Sequence, residues 1–152
     1  DDKWTKNQEK RKFIKNEGWW VLNEGRVRGI AIGGNLCSLN LLQGTKYMPD
    51  LKEKIIFIED DSMSTVGEFS RNLRSLMHVD GAAGVRGLVL GRFQKKTKMS
   101  MVQLKKIIAD IGELKNVPII ANVDFGHTDP KITWVVGGMV EIKKDPTEIR
   151  LG

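Results

Sequence analysis

Cysteine is nearly absent, and the single thiol, Cys37, cannot form an internal bridge. That excludes a disulfide framework and leaves no sign of an oxidising compartment. Histidine occurs twice, at His78 and His127. With Cys37 these make three scattered ligand candidates, one short of a structural zinc site, so no metal or other cofactor is expected. The longest apolar runs, such as residues 55–58 and 88–90, fall far below the roughly 20 residues of a membrane helix, and no membrane is expected as partner. Aromatics make up 7% of the chain and do not alternate with its basic clusters, as the stacking platforms of a single-strand nucleic-acid binder would. The net charge of +6 is dispersed over residues 10–12, 95–98 and 143–144. Solvated faces explain such charge, so nucleic acid is not expected either.

Motifs are missing too. The glycines at 29, 33 and 34 and at 81, 84, 87 and 91 fit neither the dinucleotide fingerprint nor the phosphate loop. No serine sits between glycines in a nucleophile elbow. The chain carries no evident nucleophile of its own. Its first residues, Asp1-Asp2-Lys3-Trp4, lack an initiator methionine and a signal-like apolar stretch, and they read as a cut inside a longer protein.

What is present describes one α/β domain. The 152 residues are 40% apolar and 29% charged, near the average for globular chains. Residues 3–16 read as a polar connector with a short helix. Strands are expected at residues 18–22 and 26–32, followed by a Gly33-Gly34-Asn35 turn with Asn35 capping a helix through Leu42. Residues 54–59 form a continuous apolar strand of the kind buried on both faces. Ser64 starts a helix with Val66, Phe69, Leu73, Leu76 and Met77 in one stripe. A strand at 86–91, a helix from Val102 to Ile111 and a strand at 117–122 follow. The tail, at 132–136, 139–143 and 147–151, reads as a β-meander. Strands alternating with helices and ending in strands argue for a mixed sheet.

Two places could carry chemistry. Glu59 closes the most apolar strand, followed by Asp60 and Asp61, and ligand sites of open α/β sheets gather at such carboxyl ends. The acids equally suit the N-terminus of the following helix. His127 follows the strand at 117–122, in Asn122-Val123-Asp124-Phe125-Gly126-His127-Thr128-Asp129-Pro130. A carboxylate beside it would suit it to proton transfer near neutral pH; without one it is a surface histidine. His78, on a helix ending at Gly81, reads as a helix-dipole partner or core-edge residue.

Gly29-x-x-x-Gly33-Gly34-Asn35-Leu36, Gly44-Thr45-x-Tyr47-Met48-Pro49-Asp50, Ile55-x-Phe57-Ile58-Glu59-Asp60, Gly87-x-x-x-Gly91-Arg92 and Phe125-Gly126-His127-Thr128-x-Pro130 occur in that order. Together they resemble the C-terminal domain of the LD-carboxypeptidase family of serine peptidases, over about residues 18–143. The wording around Glu59 and His127 looks closest to the family's microcin C immunity branch, which cleaves an amide in toxic aminoacyl-adenylate mimics. The other branch trims murein tetrapeptides.

The resemblance implies an α/β mixed-sheet β/β/α swivelling domain at residues 18–152, with residues 1–17 as the remnant of an interdomain connector. It implies a Ser–His–Glu triad in which Glu59 is the acid, His127 the general base, and the serine belongs to an absent N-terminal domain. Trp4, Asn35 and Asp60 are then substrate-proximal candidates. The implied partners are that N-terminal nucleophile domain, a small acyl-nucleotide or peptide substrate, and a second copy in a cytoplasmic homodimer. Without the serine the chain should be inactive alone. A murein carboxypeptidase fragment and a non-catalytic binding or dimerisation module on the same fold are the alternatives. Glu59 and His127 are expected on one edge of the sheet, somewhat beyond hydrogen-bonding distance, because unliganded catalytic contacts are often loose.

Overall fold

The computed structural model describes residues 14–152. Trp4 and almost all of the expected connector helix lie outside the described residues.

Seven strands form one sheet, β1 (Trp20–Asn23), β2 (Val27–Asn35), β3 (Lys54–Glu59), β4 (Gly87–Gly91), β5 (Ile119–Val123), β6 (Met139–Lys143) and β7 (Glu148–Leu151). Their order is β1-β5-β4-β3-β2-β6-β7. The four middle strands are parallel, while β1 pairs antiparallel with β5 on one side and, on the other, β6 pairs antiparallel with β2 and β7 antiparallel with β6. This is the α/β mixed sheet expected from the alternation of elements. Parallel neighbours require crossovers, and three helices supply them: α1 (Leu36–Asn40), α2 (Val66–Met77) and α3 (Met101–Ala109).

Every residue of β3 after Lys54 is buried, as an apolar strand between two parallel neighbours should be. Its two-residue period divides the core. Ile56 and Ile58 join Leu36, Leu39, Phe69, Leu73, Leu76, Leu104 and Ile108 beneath the helices. Ile55 and Phe57 turn to the other face with Val89, Ile120, Val123 and Phe125. No helix covers that second face among the described residues; the irregular chain after β5 does. Trp134 from this chain stacks on Phe57 with ring centroids 4.7 Å apart, and Phe125 meets both rings.

Helix starts follow local chemistry. The Asn35 side chain accepts from the Ser38 N–H at the start of α1, as expected. Thr65 with Glu68, and Ser100 with Gln103, form capping boxes at α2 and α3, so the first box places the cap one residue after Ser64.

Three expectations are corrected. Helix α1 stops at Asn40, and residues 41–44 are turns. Gly33-Gly34 is not a turn but the end of β2, in ladder with Phe57 and Ile58. Residues 132–136 form no strand. Both edges of β6, the neighbour a meander would give them, are taken by β2 and β7. The pairing with β2 continues into the chain before β6, where Gly137 donates to the Ala31 carbonyl and Ala31 donates to the Gly138 carbonyl.

Gly33 has φ of +135°, and a Cβ there would stand 1.8 Å from the Phe57 carbonyl oxygen. Only glycine lets β2 lie this close to β3. Gly33→Ala should therefore cost about 2 kcal/mol or more in urea unfolding. Gly112→Ala, at a position with no atom within 4 Å of the added Cβ, should stay within about 0.5 kcal/mol of the parent. Equal losses in the two variants would refute the close-approach argument.

Candidate active site

Glu59 closes β3 on the face it shares with Ile55 and Phe57, and its side chain is only 6% exposed. Glycines clear the space around it. A Cβ on Gly91 would lie 2.8 Å from Glu59 Cβ, and one on Gly126, where φ is +95°, would lie 2.6 Å from Oε2. Any side chain at Gly126 would drive its backbone off the carboxylate.

Residues 124–130 leave β5 and cross this same face. They bring His127 to Glu59 across 68 positions of sequence, with Nδ1 2.6 Å from Oε2. The two groups are on one edge of the sheet, as expected, but they are closer than expected and already form a hydrogen bond. A carboxylate only accepts, so the neutral ring carries its proton on Nδ1 and presents an unprotonated Nε2. Among the described residues, Nε2 takes no hydrogen bond. The ring is 56% exposed. The hydrogen bond that Glu59 accepts, and then its negative charge, hold the imidazole above its ordinary pKa; partial burial and Lys131 oppose this, and Asp61 adds to it.

The other candidates divide. Asn35 ends β2 directly beside Glu59 in the ladder. Its Oδ1 caps α1, whereas its Nδ2 is enclosed without a partner among the described residues. Asp60 is 4% exposed, and its Oδ2 likewise has no hydrogen-bond partner among the described residues. Burial, and then the charges of Asp61 and Glu59, push the Asp60 carboxyl pKa upward. Among the described residues a third enclosed atom without a partner is Thr128 Oγ1, next to His127. Beside Asp60 an open cleft of about 260 Å³ is lined by Asp61, Ser64, Glu68 and Arg71. His78 is exposed at the C-cap of α2. Because α2 runs back along the sheet from the end of β3, His78 belongs to the opposite rim. Among the described residues, no three His, Cys, Asp or Glu side chains converge to hold a metal ion.

One set of contacts was not anticipated. Arg92, directly after β4, donates from Nε to Asp124 Oδ1 at 3.0 Å and from Nη1 to the Asp129 carbonyl at 3.4 Å, and it also pairs with Glu17. Gln94 Nε2 donates to the His127 carbonyl at 2.5 Å. Asn16 Nδ2 donates to the Asn122 carbonyl at 2.8 Å and to Asp124 Oδ1 at 2.5 Å. The pairing Gly91-Arg92 at a strand end was the one signal in the sequence.

This architecture is that of the LD-carboxypeptidase C-terminal domain, whose family description matches residues 28–142. The chain belongs to that family. It is 46% identical over 143 residues to the putative carboxypeptidase YocD of Bacillus subtilis, covering 94% of this chain and 44% of the relative. The microcin C7 self-immunity protein MccF of Escherichia coli is 27% identical over 154 residues, 97% of this chain and 44% of its own length. The crystal structure of an MccF-like protein from Bacillus anthracis superposes with a TM-score of 0.84 at 46% identity, covering 98% of this chain and 47% of that one. The chain thus spans less than half the length of the relatives it matches.

A pKa raised by folding fixes the sign of a pH effect. The imidazolium–carboxylate contribution to stability is complete below the ordinary imidazole value of about 6.5 and is lost as pH rises through the higher folded value. Urea unfolding of the parent and His127→Gln between about pH 5 and 9 should show the parent's advantage shrinking as pH rises. An advantage that grows with pH would mean that the ring is held in its neutral form instead.

Proposed function

We propose that this domain supplies the acid and base of a Ser–His–Glu hydrolase triad, with the nucleophilic serine on a preceding domain. The observation that carries this reading is the hydrogen bond between Glu59 Oε2 and His127 Nδ1. It fixes the ring tautomer and leaves Nε2 as the proton acceptor on an outward-facing ring. In acyl transfer, Nε2 takes the serine proton and later returns it to the leaving amine, while Glu59 steadies the imidazolium. Residues 1–17 then act as the connector to the serine domain, and residues 18–152 as the triad-completing domain.

The substrate read here is an amide joining an acyl group to a nucleotide, as in the microcin C immunity branch, hydrolysed in the cytoplasm without a cofactor by a homodimer of the complete protein. The 46% identity to the MccF-like structure over 98% of the chain supports this choice. Asn35 and Asp60 are its substrate-proximal residues: Asn35 pairs with Glu59 in the ladder, Asp60 follows Glu59 in sequence, and each has an enclosed polar atom without a partner among the described residues.

In the complete protein, His127→Ala should lower kcat on the order of a million-fold and Glu59→Gln about ten-thousand-fold or less. His78→Ala should be near normal. The isolated chain should fold yet turn over nothing, because no acyl-enzyme can form without the serine. Steady-state kinetics on aspartyl-sulfamoyl adenosine and on a murein tetrapeptide check both points. Turnover of the tetrapeptide alone would make the protein a murein carboxypeptidase, and full activity of His127→Ala would remove the triad.

A further inference from the structure

We infer that Arg92 and Gln94, the polar side chains that leave the end of β4, are positioning residues that hold the His127 loop in register with Glu59. The inference rests on His127 being the base, and its first readout does not depend on turnover.

Residues 124–130 have no helical or strand ladder of their own, and Gly126 adds backbone freedom at the position before His127. Among the described residues, the loop's backbone bonds lie at its foot: Phe125 donates to the Val123 carbonyl, and Ile132 to the Asp124 carbonyl. Nothing in those bonds fixes residues 127–129. Arg92 and Gln94 do. The Arg92 guanidinium grips the loop three residues before His127, through the Asp124 carboxylate, and two residues after it, through the Asp129 carbonyl. Its own backbone N–H donates to the Val123 carbonyl at 3.1 Å. Gln94 bonds the carbonyl of His127 itself.

The clamp is partly withdrawn from water, with the Arg92 side chain 11% exposed and Asp124 19% exposed. Its planar fork reaches an oxygen on each side of His127, which a lysine ammonium cannot match. Arg92 also pairs with Glu17, while Asn16 bonds Asp124. The segment leading into β1 is thereby tied to the same clamp.

The effect on His127 is mechanical rather than electrostatic, and the two have opposite signs. The charged groups that bear on the ring are Glu59, Asp61 and Lys131, and the charge of Arg92 is answered by Asp124 and Glu17. Removing a cation from the neighbourhood would raise the imidazole pKa. Releasing the loop lengthens the Nδ1–Oε2 bond and lowers it.

An NMR titration of the two imidazoles in this chain reads the difference. In Arg92→Ala, His127 should titrate lower, toward the ordinary imidazole value, with His78 unmoved. Arg92→Lys should recover part of the shift, and Gln94→Ala should show a smaller fall. A folded Arg92→Ala whose His127 titrates as in the parent, or higher, overturns the inference. If Arg92→Ala does not fold, Gln94→Ala decides by the same criterion. In the complete protein, Arg92→Ala should lower kcat about a hundred-fold with KM little changed, the size expected of a misplacement near 1 Å. A lowered titration with unchanged kcat would uphold the positioning and overturn the role of His127 as base. A lowered kcat with unchanged titration would overturn the positioning.

Discussion

A carboxylate taken almost out of water must be met by a donor, because an unpaired buried charge is far costlier than a paired one. Glu59 is in that position at the end of the central strand, and much of the surrounding structure answers to it. The donor is an imidazole from a loop that starts two strands away. Reaching it requires the loop to pass close over the carboxylate, hence the glycines at 91 and 126. It also requires the loop to be held there without a ladder, hence the side-chain bonds from Arg92 and Gln94. The geometry of one hydrogen bond is thus distributed over β3, β4 and the chain after β5.

The parity of β3 decides which face this happens on. Glu59 shares its side with Ile55 and Phe57, away from the helices. A slip of one residue in that strand would turn the carboxylate into the helix-covered core, where Phe69, Leu73 and Leu104 offer no donor. The close approach of Gly33 to the Phe57 carbonyl pins β2 against β3 two positions before the site, and it keeps Asn35 level with Glu59. The cores on the two faces therefore have different duties, one holding the sheet and the other presenting its edge.

Much of this was legible in the residues. Three acids at the end of an apolar strand, and a glycine–histidine pair at the end of another, marked the two sides of the pair. Five ordered motifs tied them to a family. What was not legible depended on contacts that no local pattern encodes. Gly33-Gly34 looked like a turn because glycine usually marks one, yet the ladder to Phe57 and Ile58 holds both in a strand. Residues 132–136 looked like a strand because apolar residues recur there, but both edges of β6 are taken by β2 and β7. Arg92 and Glu17 are joined across 75 positions, and nothing in either neighbourhood foretells it.

The second face of the sheet is roofed by a single irregular layer, running from Phe125 through Trp134, with no helix among the described residues. Such a roof can lift without the sheet coming apart. Opening free energies in a protein form tiers, and segments held mainly by side-chain bonds occupy the lower ones. The imidazole rides on the lower tier and the carboxylate is fixed in the upper. On warming or in mild denaturant, the pair should therefore part well before the strands do, so that amide protection in β3 and β4 outlasts the alignment of the two side chains that those strands support.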